Sequence, residues 1–173
     1  LEVLANTTNI GLTALIHSSG LKGRELGARE VGYVLGPRLN ACGRIGDPGR
    51  ALRLLLTGEE AQAWTIADEL ERINRRRRQI EEQVYLEAVN MVEETADLGK
   101  VLVLSEEGWH PGVIGIVASR LTKRYYRPTV LLSLEDEVSR GSARSIPGFH
   151  IHHALTECAA YLTRFGGHEM AAG

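Results

Sequence analysis

Cys42 and Cys158 are the only cysteines in this chain of 173 residues. Two are too few for a disulfide scaffold, so both read as reduced thiols of a cytoplasmic protein. Long hydrophobic runs are also missing. No stretch approaches the roughly 20 apolar residues of a membrane span, and no signal peptide is visible. Nor does one sign of charge dominate. Lys and Arg number 20 against 22 Asp and Glu, a net charge of −2. Any surface that attracts a polyanion must therefore be local. There is no Asp-x-Asp pair and no Asp-His-His triplet. Metal-assisted hydrolysis needs clustered ligands of that kind, so no metal ligands are expected in this stretch. What is present is 43% hydrophobic and 24% charged residues, enough for the core of one large domain or two small ones. The chain starts on Leu1 rather than Met and stops on Gly173 within a glycine-rich motif, as expected of an internal piece of a longer protein.

Periodicity divides the chain. Residues 1–57 read as short, broken helices. Leu12, Leu15 and Ile16 share helical spacing ahead of a stop at Gly20, and a second helix is expected over 28–35. Asp47-Pro48 has the form of an N-cap followed by proline at the first helical position. From about 57 to 95 the pattern is one long helix opened by a capping box, Thr57 with Glu60. At about 1.5 Å per residue it spans roughly 50 Å, enough to link two lobes. Residues 100–173 alternate as strand 101–104, helix 112–124, strands 129–133 and 139–145, and helix 150–162. The expected class is α/β, with a helical segment at 1–57, a connector helix at 58–98 and a small α/β domain at 99–173.

Three segments set polar side chains among glycines, where backbone can come close to an anion. In Gly141-Ser142-Ala143-Arg144-Ser145 the strand period puts Ser142 and Arg144 on one face. A hydroxyl and a guanidinium so placed can share a phosphate; the competing reading is an exposed strand face. The segment 36–44 carries Arg38, Asn40 and Arg44, either as anion ligands or as solvated residues in a helix–loop–helix join. Gly166-Gly167-His168 would let a phosphate approach closely, and a helix expected from Glu169 would place His168 near its positive end. In Trp109-His110-Pro111-Gly112, His110 is a candidate ligand contact and Trp109 a packing residue. His150, His152 and His153 crowd one helix start, but only Glu157 is near enough to help complete a metal set. The run 75–78 of four arginines fans around its helix, which favours a solvated face over a DNA contact.

Taken together, the segments 36–44, 108–120, 141–145 and 166–168 resemble the RecJ family of single-stranded-DNA exonucleases, in the DHH phosphoesterase superfamily. The resemblance runs along essentially the whole chain. It implies a DHH domain with Asp and His ligands for two divalent ions, Mn or Mg, and a long helix leading to a DHHA1 domain. Nucleic acid would lie in the cleft between the two domains. Residues 1–57 would be the tail of the DHH domain, 58–98 the connector and 99–173 most of DHHA1. The metal-ligand motifs would all precede Leu1, so the chain alone is expected to be inactive. The parent would be a metal-dependent 5′→3′ exonuclease on single-stranded DNA, with DNA-repair proteins as partners and no membrane. Metal-bound water would attack the phosphodiester there. Ser142 and Arg144 would hold the terminal 5′-phosphate, with Arg44 joining them. His168 would contact the phosphate near the scissile bond. Arg38, Asn40, His110, Gly166 and Gly167 would complete the substrate contacts. Cys42 stands where the family usually has alanine and is expected only to pack; His150 stands where it often has Asp. The alternatives are a phosphoesterase on short oligonucleotides or cyclic dinucleotides, and a non-catalytic nucleic-acid-binding module like that appended to alanyl-tRNA synthetases.

Overall fold

Asn9 sets the start of the first helix that carries core residues. In the computed structural model, which describes residues 2–173, α1 covers Glu2–Ala5 and α2 covers Ile10–Ser18. Asn9 Oδ1 accepts the Leu12 amide at 2.8 Å, and its Nδ2 donates to the Leu55 carbonyl at 3.0 Å. Past the end of α2, Gly20 is left-handed, φ 72°. Then α3 (Ala28–Glu30), a π-helical stretch (Val31–Leu35) and α4 (Gly36–Ile45) follow without a break. This differs from the join expected after residue 35. Pro37 has no amide to give, and its ring needs room against the carbonyl four residues back. The wider π turn directly before α4 supplies that room.

Asp47 Oδ1 accepts the Gly49 amide at 2.8 Å in a turn just ahead of α5 (Gly49–Leu56), whose N-cap is Pro48, one residue later than expected. The long helix α6 covers Glu60–Glu93, preceded by Thr57, whose hydroxyl accepts the Glu59 amide. The chain forms two compact units, one ending at Arg78 and one spanning Gln79–Gly173. α6 contributes residues to both. The first unit closes over Ala14, Leu15, Leu54, Ala67 and Leu70, all fully buried. Cys42 belongs to this core, and burial pushes its thiol above the usual range. Cys158 is exposed. Alkylation of the native protein should therefore label one thiol, Cys158, and denaturation should release the second. Equal rates at both sites would contradict the packing of α4.

In the second unit a four-stranded sheet runs in the order β1 (Leu102–Glu107), β2 (Thr129–Leu134), β3 (Arg140–Arg144), β4 (Ala171–Ala172). β1 and β2 are parallel, joined by helix α7 (Pro111–Tyr125); the other pairs are antiparallel. Parallel neighbours need such a crossover. α7 buries Val113, Ile114, Val117, Ala118 and Leu121. On the opposite face, Ala143 and Ala172 pack with Ile151 of α8 (Ile151–Glu157). The C-terminal half of α6 is tied in by polar contacts. Trp109 Nε1 donates to Glu87 at 2.8 Å, and Arg124 pairs with Glu93 at 2.7 Å. Arg120 lies 3.6 Å over the Tyr85 ring and bonds Glu82 at 2.8 Å. Burial opposes the Arg120 charge; the Glu82 bond and charge more than offset it and hold the guanidinium above its ordinary pKa. The α/β class expected from the alternation is the class found.

Candidate nucleic-acid interface

The site is built on β3. Successive side chains of a strand face opposite sides, so Ala143 enters the α8 side while Ser142 and Arg144 face α7. Arg144 Nη1 donates to Ser142 Oγ at 3.2 Å and to the Ala143 carbonyl at 2.7 Å. The guanidinium thus lies back along its strand, beside the hydroxyl. Both residues are half-buried, a setting in which a charge-assisted bond to an anion is stronger than in open water.

The glycine-rich end reaches the same face by a different route from the one expected. No helix begins at Glu169. The chain instead folds into a hairpin. Gly166 and Gly173 exchange two amide–carbonyl bonds of 2.9 Å, Gly167 bridges Ala172, and the His168 amide donates to the Ala171 carbonyl at 2.8 Å. The carbonyls a helix would need are taken. Met170 O accepts the Ser145 amide and Glu169 O the Ile151 amide, each at 2.9 Å. His168 therefore does not stand at a helix N-terminus. Gly167 has φ 150°, and a Cβ there would lie 2.5 Å from Ala172 Cα. Its bareness serves the close pairing of the hairpin. Gly166 has open space where a side chain would start.

Register then places His168. Ala172 pairs with Ala143 and lies on the α8 side, so Ala171, paired with Arg144, lies on the α7 side. His168 is opposite Ala171 in the hairpin, and directly opposed residues share a face. Arg144, Ala171 and His168 form one row across the sheet. With strands about 4.8 Å apart, Arg144 and His168 are two strand positions apart, on either side of Ala171. His168 is exposed.

His110 is the N-cap of α7. Its Nδ1 accepts the Gly112 amide at 3.0 Å. An imidazole that accepts through Nδ1 carries its hydrogen on Nε2, so the ring offers an N–H on its far edge. His150 plays the matching part for α8, with Nδ1 accepting the His153 amide at 3.2 Å.

In the first unit, α4 separates the three residues of its segment. Arg38 is 8% exposed. Its Nε bonds Glu71 at 2.6 Å and its Nη1 the Val34 carbonyl at 2.7 Å. The bond to Glu71 ties α4 to α6. Asn40 and Arg44, four residues apart, share an exposed helix face. Among the four arginines, Arg75 lies 3.8 Å from Glu71 and Arg77 bonds the buried Asn74. One residue at the β3 face escaped the sequence reading. Gly115, on α7, sits against Ser142 and Arg144; its signal was a glycine inside an apolar helical pattern.

Residues 98–173, which hold the small sheet with its βαβ crossover and the Gly-Gly-His hairpin beside the Ser-x-Arg strand, match the DHHA1 domain family. Over its length the chain is similar to RecJ, the single-stranded-DNA-specific exonuclease. It is 42% identical to RecJ of Bacillus subtilis, covering all of this chain and 22% of that protein. It is 37% identical to RecJ of Escherichia coli, covering 99% of this chain and 31% of that one. The crystal structure of RecJ with Mg2+ from Thermus thermophilus superposes with a TM-score of 0.87 at 34% identity, over 99% of this chain and 26% of that one. A structure of exonuclease RecJ bound to manganese gives 0.84 at 34%, over 99% of this chain and 42% of that one. The chain thus spans between about a fifth and a third of the curated relatives named.

Proposed function

We propose that this chain is the substrate-gripping portion of a metal-dependent exonuclease that degrades single-stranded DNA 5′→3′. In that reading residues 1–57 end a DHH domain, 58–98 connect, and 99–173 form the DHHA1 domain. The observation that carries it is the register of the sheet: Arg144 bonds Ser142 on β3 and pairs with Ala171, which in turn lies opposite His168. Ser142 and Arg144 hold the terminal 5′-phosphate. His168, two strands away, meets the next phosphate of the same strand, at the scissile bond. His110 adds an N–H, and Asn40 and Arg44 are further candidate contacts. Such a substrate places the protein in the cytoplasm; no described helix is long and apolar enough to cross a membrane.

The relatives' structures hold Mg2+ or Mn2+. The residues of this chain do not fit such ions. Among the described residues no three of His, Cys, Asp and Glu converge as a ligand set. The divalent ions would then be held by other parts of the full-length protein.

In the full-length protein, Arg144→Ala should lower kcat/KM on 5′-phosphorylated strands about ten- to a hundred-fold more than on 5′-hydroxyl strands. That is the cost of one charge-assisted contact, about 1.5–3 kcal/mol. Arg144→Lys keeps the charge but loses the planar fork, and should recover only part. Equal losses on both ends would mean that Arg144 does not read the terminal phosphate.

A further inference from the structure

α7 is bare at the point where it faces β3. Gly115 sits mid-helix among Val113, Ile114, Val117 and Ala118, each at most 1% exposed. Glycine is the poorest helix former after proline, so nothing within α7 favours it there. The reason lies across the gap. A Cβ on Gly115 would stand 2.7 Å from Ser142 Oγ and 3.0 Å from Arg144 Nη2, with Ser142 Cβ next at 3.6 Å. All three nearest atoms belong to side chains, and the two closest are polar tips. At Gly11 and Gly167, by contrast, an added Cβ would strike backbone.

We infer that Gly115 is a specificity-determining residue. Its missing side chain leaves the Ser142 hydroxyl and the Arg144 guanidinium side by side, and so sets the preference for strand ends that carry a 5′-phosphate. The inference rests on the reading of that pair as the phosphate grip. A hydroxyl turns easily about its χ1 and a guanidinium swings on a long stem. An added methyl is therefore relieved by moving the two tips, at the expense of the site and with the fold intact.

The test is Gly115→Ala in the full-length protein, read by melting temperature and by the ratio of kcat/KM on 5′-phosphorylated and 5′-hydroxyl single strands. The melting temperature should hold or rise, because alanine favours the helix. The ratio should fall about tenfold. Ser142→Ala removes the oxygen nearest the new methyl, so adding Gly115→Ala to that variant should lower the ratio much less, a coupling visible in the double-mutant cycle. If Arg144→Ala abolishes the end preference and Gly115→Ala leaves it unchanged, the inference is overturned while the phosphate reading stands. If neither changes it, both fail. A lower melting temperature with equal losses on both ends would make Gly115 an ordinary packing residue and overturn the inference as well.

Discussion

Turnover at saturating single-stranded DNA should fall about 100- to 1000-fold when His168 is replaced by alanine in the full-length protein, the loss found when one donor to developing charge is removed. The fold should not notice. His168 is exposed, and the bond that fixes its place in the hairpin runs from its backbone amide to Ala171 O, which alanine keeps. Exposed substitutions of this kind stay within about 0.5 kcal/mol, or roughly 2 °C for a domain of this size. The competing role is a structural one, with the ring bridging the hairpin to its surroundings. It predicts the reverse: a clear drop in melting temperature and near-normal turnover in the protein that remains folded. Both quantities measured on one variant decide the matter.

Gly11→Ala should be the most destabilising change of a single methyl group in the first unit, about 3 kcal/mol. A Cβ on this buried glycine would run into the Leu54 carbonyl oxygen and lie 2.7 Å from its carbon. Neither atom can swing away. α2 and α5 must separate, and the Asn9 bond to the Leu55 carbonyl goes with them. Urea unfolding should show a lower midpoint at unchanged slope. A wild-type midpoint would mean that the two helices do not meet backbone to backbone. Gly115 and Gly11, both helical, should therefore respond to an added methyl in opposite ways. What decides is whether the neighbouring atoms can turn away.

Much of the architecture was legible because it obeys short-range rules. The lack of proline and glycine between Glu60 and Glu93 gives α6, and alternation around Ser142 gives β3. The shared face of Ser142 and Arg144 follows from the period of two. The illegible parts depend on distant partners. Gly36-Pro37 reads as a break, yet a π turn carries the helix through it. Arg38 looks like a surface cation until Glu71, far along the chain, closes on it. The residues after His168 have helix-forming composition. They pair as a hairpin because Ser145 and Ile151 donate to their carbonyls, and no local pattern announces that. The sharing of a sheet face by His168 and Arg144 could be seen only once that hairpin was known.

The sheet sets its strands side by side in the order in which the ribosome makes them, β1, β2, β3, β4. Each new strand meets a neighbour already present, and no strand must be threaded between two others. Low sequence separation between partners favours fast assembly, and domains form as units during synthesis. The hairpin that carries His168 follows β3 in the chain and joins at its edge. A nascent chain can therefore pair β1, β2 and β3 before it has the hairpin, so the face that carries Ser142 and Arg144 exists before His168 joins it.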